Sequence, residues 1–101
     1  MPVTLVAVTG LDLIAADYEE VLVGTVAKSP TSAKVNTARL AYIRVEGGPI
    51  RYLVHGGVPT AIFGHPAYDL DALWLNSSEI RNLQMIRTGG VSGTVRITYY
   101  Q

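Results

Sequence analysis

The chain has 101 residues and no cysteine. That excludes disulfides, thiolate metal sites and a cysteine nucleophile, so stability must come from packing or assembly. Charge is scarce as well. Charged residues make up 16% of the sequence, against about 25% in an average soluble domain. There are two histidines, one tryptophan and one phenylalanine. No run approaches the roughly 18 apolar residues of a membrane-spanning helix, and Met1 to Val8 lacks the basic start and cleavage pattern of a signal peptide. What is abundant is apolar: 49% of the residues are hydrophobic. A domain of this size has little interior in which to hide them. Part of the surface is therefore expected to be covered by copies or partners.

Net charge is zero, which argues against a nucleic-acid or anionic-membrane partner, since either calls for a basic excess. The charges are arranged in blocks. Asp12, Asp17, Glu19 and Glu20 give −4; Lys28, Lys34, Arg39, Arg44 and Arg51 against Glu46 give +4. Asp69, Asp71 and Glu79 give −3, and Arg81, Arg87 and Arg96 give +3. Blocks of opposite sign are expected to meet on neighbouring strands or between subunits.

Turn signals divide the second half into short apolar runs: Gly47-Gly48-Pro49, Gly56-Gly57-Val58-Pro59, Gly64-His65-Pro66, Gly89-Gly90 and Gly93. Between them, alternation predicts strands. Ala41, Ile43 and Val45 share one face, and Val95, Ile97 and Tyr99 share another. Ala38–Glu46 and the strand after Gly47-Gly48-Pro49 read as a hairpin. Ala72 to Leu75 reads as a strand covered on both sides, with Trp74 in the core. Thr60 to Phe63 is a short apolar segment, and Ile80 to Arg87 starts irregularly. In the first half, Val3 to Val8 reads as a strand. The spacing of Leu11, Ile14, Ala15 and Tyr18 suggests a short helix, and Val21 to Ala27 reads as a strand interrupted by Gly24. Residues 28 to 37 read as a surface loop. No helix is long enough to separate parallel strands. The expected fold is all-β: a small antiparallel β-sandwich, jelly-roll-like, of about seven or eight strands. Residues 1–101 form one such domain, with 1–37 an N-terminal arm plus the first strands.

Candidate chemistry is sparse. His55 and His65 have no partner at metal-ligand spacing and read as polar turn residues. Asp69 and Asp71 share one face of an extended chain, the arrangement of a divalent-cation site or an acid/base pair, but two carboxylates without further ligands fit a solvated loop edge better. The serines lie in no nucleophile elbow and the glycines in no phosphate loop. An enzyme is not expected, and neither a cofactor nor a metal is implied. Trp74, Tyr68, Tyr99 and Tyr100 could form a sugar-stacking platform, but the same residues suit a core anchor or an interface, and Trp74 between Leu73 and Leu75 reads as core. Because Tyr99 and Tyr100 alternate faces, one ring is expected inside and the other available for contact.

The run Ile50-Arg-Tyr-Leu-Val-His-Gly-Gly-Val-Pro-Thr60, with Gly64-His65, Glu79-Ile80, Ile86-Arg87 and the ending Gly93-Thr-Val-Arg-Ile-Thr-Tyr-Tyr100, resembles small structural proteins of tailed bacteriophages. These are head decoration (cement) or fibre-associated β-sandwich proteins. The resemblance covers roughly Ala38 to Gln101 and brings no catalytic residues with it. It implies a virion protein on the phage head surface, made in the bacterial host cytoplasm. Its implied partners are the major capsid protein and copies of itself, as a trimer or another cyclic oligomer, with no nucleic acid and no membrane. The contacts expected to carry this are Val3 and Leu5 in the N-terminal segment, Asp17, Glu19 and Glu20, and Tyr99 or Tyr100. One alternative is a carbohydrate-binding or host-attachment module of a phage fibre or tail. Another is a stand-alone bacterial β-domain with a housekeeping binding role.

Overall fold

Alternating apolar residues give the first sheet its inner face. In β1 (Ala15–Val23), Val21 and Val23 are buried; in β2 (Leu40–Gly47), Ala41, Ile43 and Val45; in the C-terminal strand (Gly93–Tyr100, β7), Val95, Ile97 and Tyr99. These three strands and β5 (Ala72–Asn76) form a sheet in the order β1-β7-β2-β5. The pairing is antiparallel throughout, with Ile43 opposite Ile97 and Val45 opposite Val95. A smaller antiparallel sheet, β4-β3-β6, is built from β3 (Ile50–Leu53), β4 (His65–Ala67) and β6 (Gln84–Arg87). Ile50, Ala67 and Met85 join the core from this second sheet. The fold is all-β, as the strand pattern predicts: two antiparallel sheets share one apolar core. The computed structural model describes residues 13–101, and the expected strand Val3–Val8 lies outside them.

A single helical turn and a half, α1 (Ser77–Asn82), closes one end of the core with Ile80. It is nucleated by a capping box. The Asn76 side chain accepts from the Glu79 N–H at 2.9 Å, and the Glu79 carboxylate accepts from the Asn76 N–H at 2.8 Å. Those two bonds satisfy backbone donors that a helix start leaves open. A 3-10 turn, Ala33–Asn36, opens with Ser32 as its cap, whose hydroxyl accepts from the Lys34 N–H at 3.0 Å.

Several expectations are corrected. Residues 15–18 are strand rather than part of a short helix, and Leu11 of that expected helix lies outside the described residues: the four-residue spacing of Ile14 and Tyr18 is incidental, because Tyr18 pairs with Thr98 on the solvent face. The strand expected over Val21 to Ala27 ends at Val23, and only Lys28 rejoins a sheet, through an isolated bridge to Met85. The segment expected to start irregularly at Ile80 is helical up to Asn82. His65 opens β4 rather than sitting in a turn.

The largest correction concerns Gly47-Gly48-Pro49. It is no hairpin turn: β2 pairs with β5 and β7, β3 pairs with β4 and β6, and the three residues carry the chain from one sheet to the other. Gly47 takes a φ of 90°, which an L side chain rarely adopts. A Cβ on Gly48 would collide with the Val91 carbonyl, and one on Gly93 would lie 2.5 Å from the Gly48 carbonyl oxygen. Two backbone segments therefore touch at the corner. Gly48→Ala is expected to destabilise the fold by about 3 kcal/mol, at the upper end of overpacking. Gly90→Ala, where an added Cβ meets nothing within 4 Å, should stay within about 0.5 kcal/mol of the parent. Urea denaturation of the two variants checks the contrast.

Candidate interaction surfaces

Acidic residues on β1 break its alternation. Asp17 and Glu19 lie in register with Tyr99 and Ile97, on the core side of the strand beyond Val21. They remain ionised there because donors surround them. Glu19 accepts from the Ser32 N–H at 3.0 Å, the Thr31 N–H at 3.2 Å, the Thr31 hydroxyl at 2.8 Å and the Tyr99 hydroxyl. Asp17 accepts from the Ser32 hydroxyl. Burial works against ionisation of Glu19, but the Tyr99, Ser32 and Thr31 donors outweigh it and hold the carboxyl below its usual value. The Ser32 bond likewise lowers Asp17. Burial, then the bond to Glu19, pushes the Tyr99 phenol up. These two acids therefore clamp the 29–37 loop onto the first sheet.

The opposite face of that sheet is open to solvent. Tyr42 on β2 lies opposite Trp74 on β5, and the ring centroids are 4.7 Å apart. Trp74 also meets Tyr100, at 6.2 Å. All three are half-buried, and Leu40 pairs beside them. Trp74 is thus not a core residue as expected: it stands on the solvent face, and Leu75 faces the core in its place. The same face carries a charge network. Arg96 pairs with Glu20 and with Glu46, the latter at 2.7 Å, and donates to the Tyr18 hydroxyl at 3.0 Å. Opposite charge blocks do meet on adjacent strands here, as Glu20 is the direct cross-strand neighbour of Arg96. Both partners are solvated, so the pair sets register more than it adds stability.

A third surface combines a projecting turn and a groove. Residues 68–71 form a turn closed by the Asp71 N–H donating to the Tyr68 carbonyl at 2.9 Å. Its third residue, Leu70, has a φ of 71°, where a type II turn favours glycine or asparagine. For leucine that backbone costs about 1 kcal/mol. Several bonds enforce it. Leu70 donates its N–H to Val45 at 2.7 Å and accepts from Arg44 Nε at 3.2 Å. Asp71 accepts from the Tyr68 N–H at 2.8 Å, and Asp69 from the Gly47 N–H at 2.9 Å. The two carboxylates are turned to separate backbone donors and do not converge on a cation. Among the described residues no group of three His, Asp or Glu is placed to hold a metal. Tyr68 and Leu70 project outward, with Leu70 59% exposed.

Beyond β4 lies an apolar groove of about 430 Å³, lined by Leu53, Ile62, Phe63, Gly64 and His65. Its wall is the tight turn closed by Thr60 and Phe63. Arg51 holds that turn from beneath, donating to the carbonyls of Ala61 at 3.2 Å and Gly64 at 2.8 Å. Ile62 at its tip is 88% exposed.

The sequence-predicted contact residues separate accordingly. Asp17, Glu19 and Glu20 have partners within the chain; Tyr99 points into the core and Tyr100 to solvent; Val3 and Leu5 lie outside the described residues. Sequence reasoning missed Tyr42, Leu70 and the groove. Only the first left a signal, as an alternating outward position on β2. No family model, curated protein or solved structure matches this chain.

The clamp has a pH consequence. A carboxyl whose folded pKa is depressed contributes stability above its unfolded pKa, and that contribution is lost as pH falls through the folded value. The ordinary values are 4.5 for Glu19 and 3.8 for Asp17. Stability should therefore begin to fall as pH drops below about 5 and keep falling through and below 3.8. Glu19→Gln should lower stability at pH 6 to 8 and flatten the acid limb, so that variant and parent converge towards pH 3, which denaturant midpoints between pH 3 and 8 will read.

Proposed function

We propose that the chain is a structural protein of a bacteriophage virion: a head decoration protein that binds the capsid shell and stabilises it by burying surface, without chemistry. The observation that carries this reading is the solvent face of the first sheet. Leu40, Tyr42, Trp74 and Tyr100 crowd together there on β2, β5 and β7, while the acids with depressed pKa values serve the loop clamp instead of converging in a cleft. Aromatic side chains on a rigid sheet bury much area at low entropic cost, which is what a specific interface of about 800 Å² per partner requires. On a shell of many copies, modest contacts add through multivalency.

Strand order supports the jelly-roll form of the fold. Taking the Lys28–Met85 bridge as the trace of an eighth strand, the second sheet reads Lys28-β6-β3-β4 against β1-β7-β2-β5. Two four-stranded sheets exchanging chain in this way make a jelly roll, an architecture common in capsid proteins and in lectins.

A second reading rests on the same rings. Trp74 between Tyr42 and Tyr100 also suits a carbohydrate-binding module, since ring faces stack on the apolar faces of sugars. The two readings separate by experiment. Tyr42→Thr and Tyr100→Thr together should lower occupancy on phage heads about tenfold or more in co-sedimentation, with the Tm lowered by no more than a few degrees. Unchanged occupancy would remove the aromatic face from the mechanism. A Trp74 fluorescence shift on titration with host-wall glycans, with no head binding, would favour the second reading.

A further inference from the structure

Leu70 is unfavourable twice over in an isolated molecule. Its backbone sits where leucine is strained, and its side chain is more than half exposed. Glycine or asparagine would close the same turn more easily. Yet four hydrogen bonds hold the turn in place: Arg44 and Gly47 donate to it, Leu70 donates to the Val45 carbonyl, and Tyr68 donates to the Asp71 carboxylate. The arrangement fixes an apolar projection next to Tyr68 and flanks it with Asp69 and Asp71. On a different part of the same molecule, the groove under Ile62 and Phe63 is an apolar recess with room for a large side chain. The segment that builds it, residues 52–66, contains no acid. His65 lines the groove, and the half-buried Arg51 guanidinium lies beneath its wall, donating to the carbonyls of Ala61 and Gly64.

We propose that the Leu70 turn of one copy seats in the groove of a second copy, and that this contact holds copies of the chain to one another. Shape and charge argue for this occupant. An apolar tip flanked by two carboxylates meets an apolar, acid-free recess whose wall is held by the Arg51 guanidinium, and the chain supplies both halves. The contact deepens the assembly reading above and rests on it. Because projection and groove are separate patches, each copy offers one of each, so the contacts propagate until the rotation closes a ring. Neither free edge of the second sheet competes as a pairing site for copies. Pro66 removes a donor from β4. Lys28 covers β6 by donating to and accepting from Met85, both at 2.8 Å, and Gly24 accepts from the Arg87 N–H at 2.9 Å.

The test is light scattering and sedimentation velocity on the full chain at about 100 μM, a concentration at which a contact of micromolar strength is populated. The wild type should be oligomeric. Leu70→Gly should be monomeric with a Tm unchanged or raised by about 4 °C, because it relieves strain. A residue serving only the fold would lower the Tm and leave association intact. Phe63→Asp, which alters an exposed groove residue and brings like charge towards Asp69 and Asp71, should also be monomeric. Mixing the two variants pairs the intact turn of Phe63→Asp with the intact groove of Leu70→Gly, so a two-copy species should form and go no further. A monomeric wild type, a Leu70→Gly variant that still associates fully, or a mixture that stays monomeric would each overturn the proposal. None of these outcomes decides the virion reading, which is tested by head occupancy of the Tyr42 and Tyr100 variants.

Discussion

Backbone presses on backbone where β2 leaves the first sheet, and the rest of the architecture depends on that contact. Only Gly48 and Pro49 separate the end of β2 from the start of β3, yet the two strands belong to sheets whose faces pack about 10 Å apart. The chain makes the step because Gly48 and Gly93 lack side chains and can touch. The same touch places Gly93 opposite both Gly47 and Val23. It thereby starts β7 in register between β2 and β1. From that register follow the inward rows of Val45 and Val95 and of Ile43 and Ile97. A chain without cysteine has no covalent way to fix such a crossing. Steric exclusion at two glycines does it instead.

Acids have a consistent role in this molecule. Glu79 closes the helix start, Asp17 and Glu19 clamp the Thr31–Ser32 loop, and Asp69 and Asp71 brace the turn at Leu70. In each case a carboxylate accepts from backbone or hydroxyl donors that a strand ladder does not reach. Charge-assisted bonds of this kind are roughly twice as strong as neutral ones, so a few acids suffice to order loops in a protein with little charge. Among the described residues, ion pairing is confined to Arg96 with Glu20 and Glu46. The acids of the first charge block that the structure describes thus have partners within the chain. Position along the sequence reveals a surplus of acid, but not that backbone N–H groups twelve or more residues away take it up.

Strand alternation made much of the fold legible, because period two records which residues face the core. Ala41, Ile43 and Val45, and Val95, Ile97 and Tyr99, share faces that were readable in this way; that Tyr99 and Tyr100 point opposite ways was readable too, but the burial of Tyr99 shows which ring is inside. Pairing was not readable. A glycine pair before a proline looks the same in a hairpin and in a crossover, and the deciding partner, Val91, lies over forty residues away. Trp74 was misplaced because Leu73-Trp74-Leu75 is apolar on both faces, and only the burial of Leu75 shows which side is inside. One local signal was overlooked: Asn76-Ser-Ser-Glu79 spells a capping box, so the helix after β5 was within reach of sequence reasoning. Leu70 was not. Nothing local marks a leucine as left-handed when the bonds enforcing it come from Arg44, Val45 and Gly47.

Those bonds tie the projecting turn to β2, and β2 also bears Tyr42 on the solvent face of the sheet. β2 is an interior strand, paired along its length with β7 and β5. The turn and the aromatic face are therefore carried by one rigid element and cannot shift independently. Groups ordered during folding need not be ordered again on binding, which is the advantage of preorganisation. Under the surface-covering function proposed above, the arrangement has a geometric consequence. Any partner seated on the Leu70 turn has its orientation relative to the aromatic face already set, to within the stiffness of a single strand. If the proposed shell binding and copy-to-copy contact both operate, they need the two surfaces in fixed relation, because a lattice tolerates little error in the angle between successive copies. The strain at Leu70 is then a property of the folded strand, present before any partner arrives.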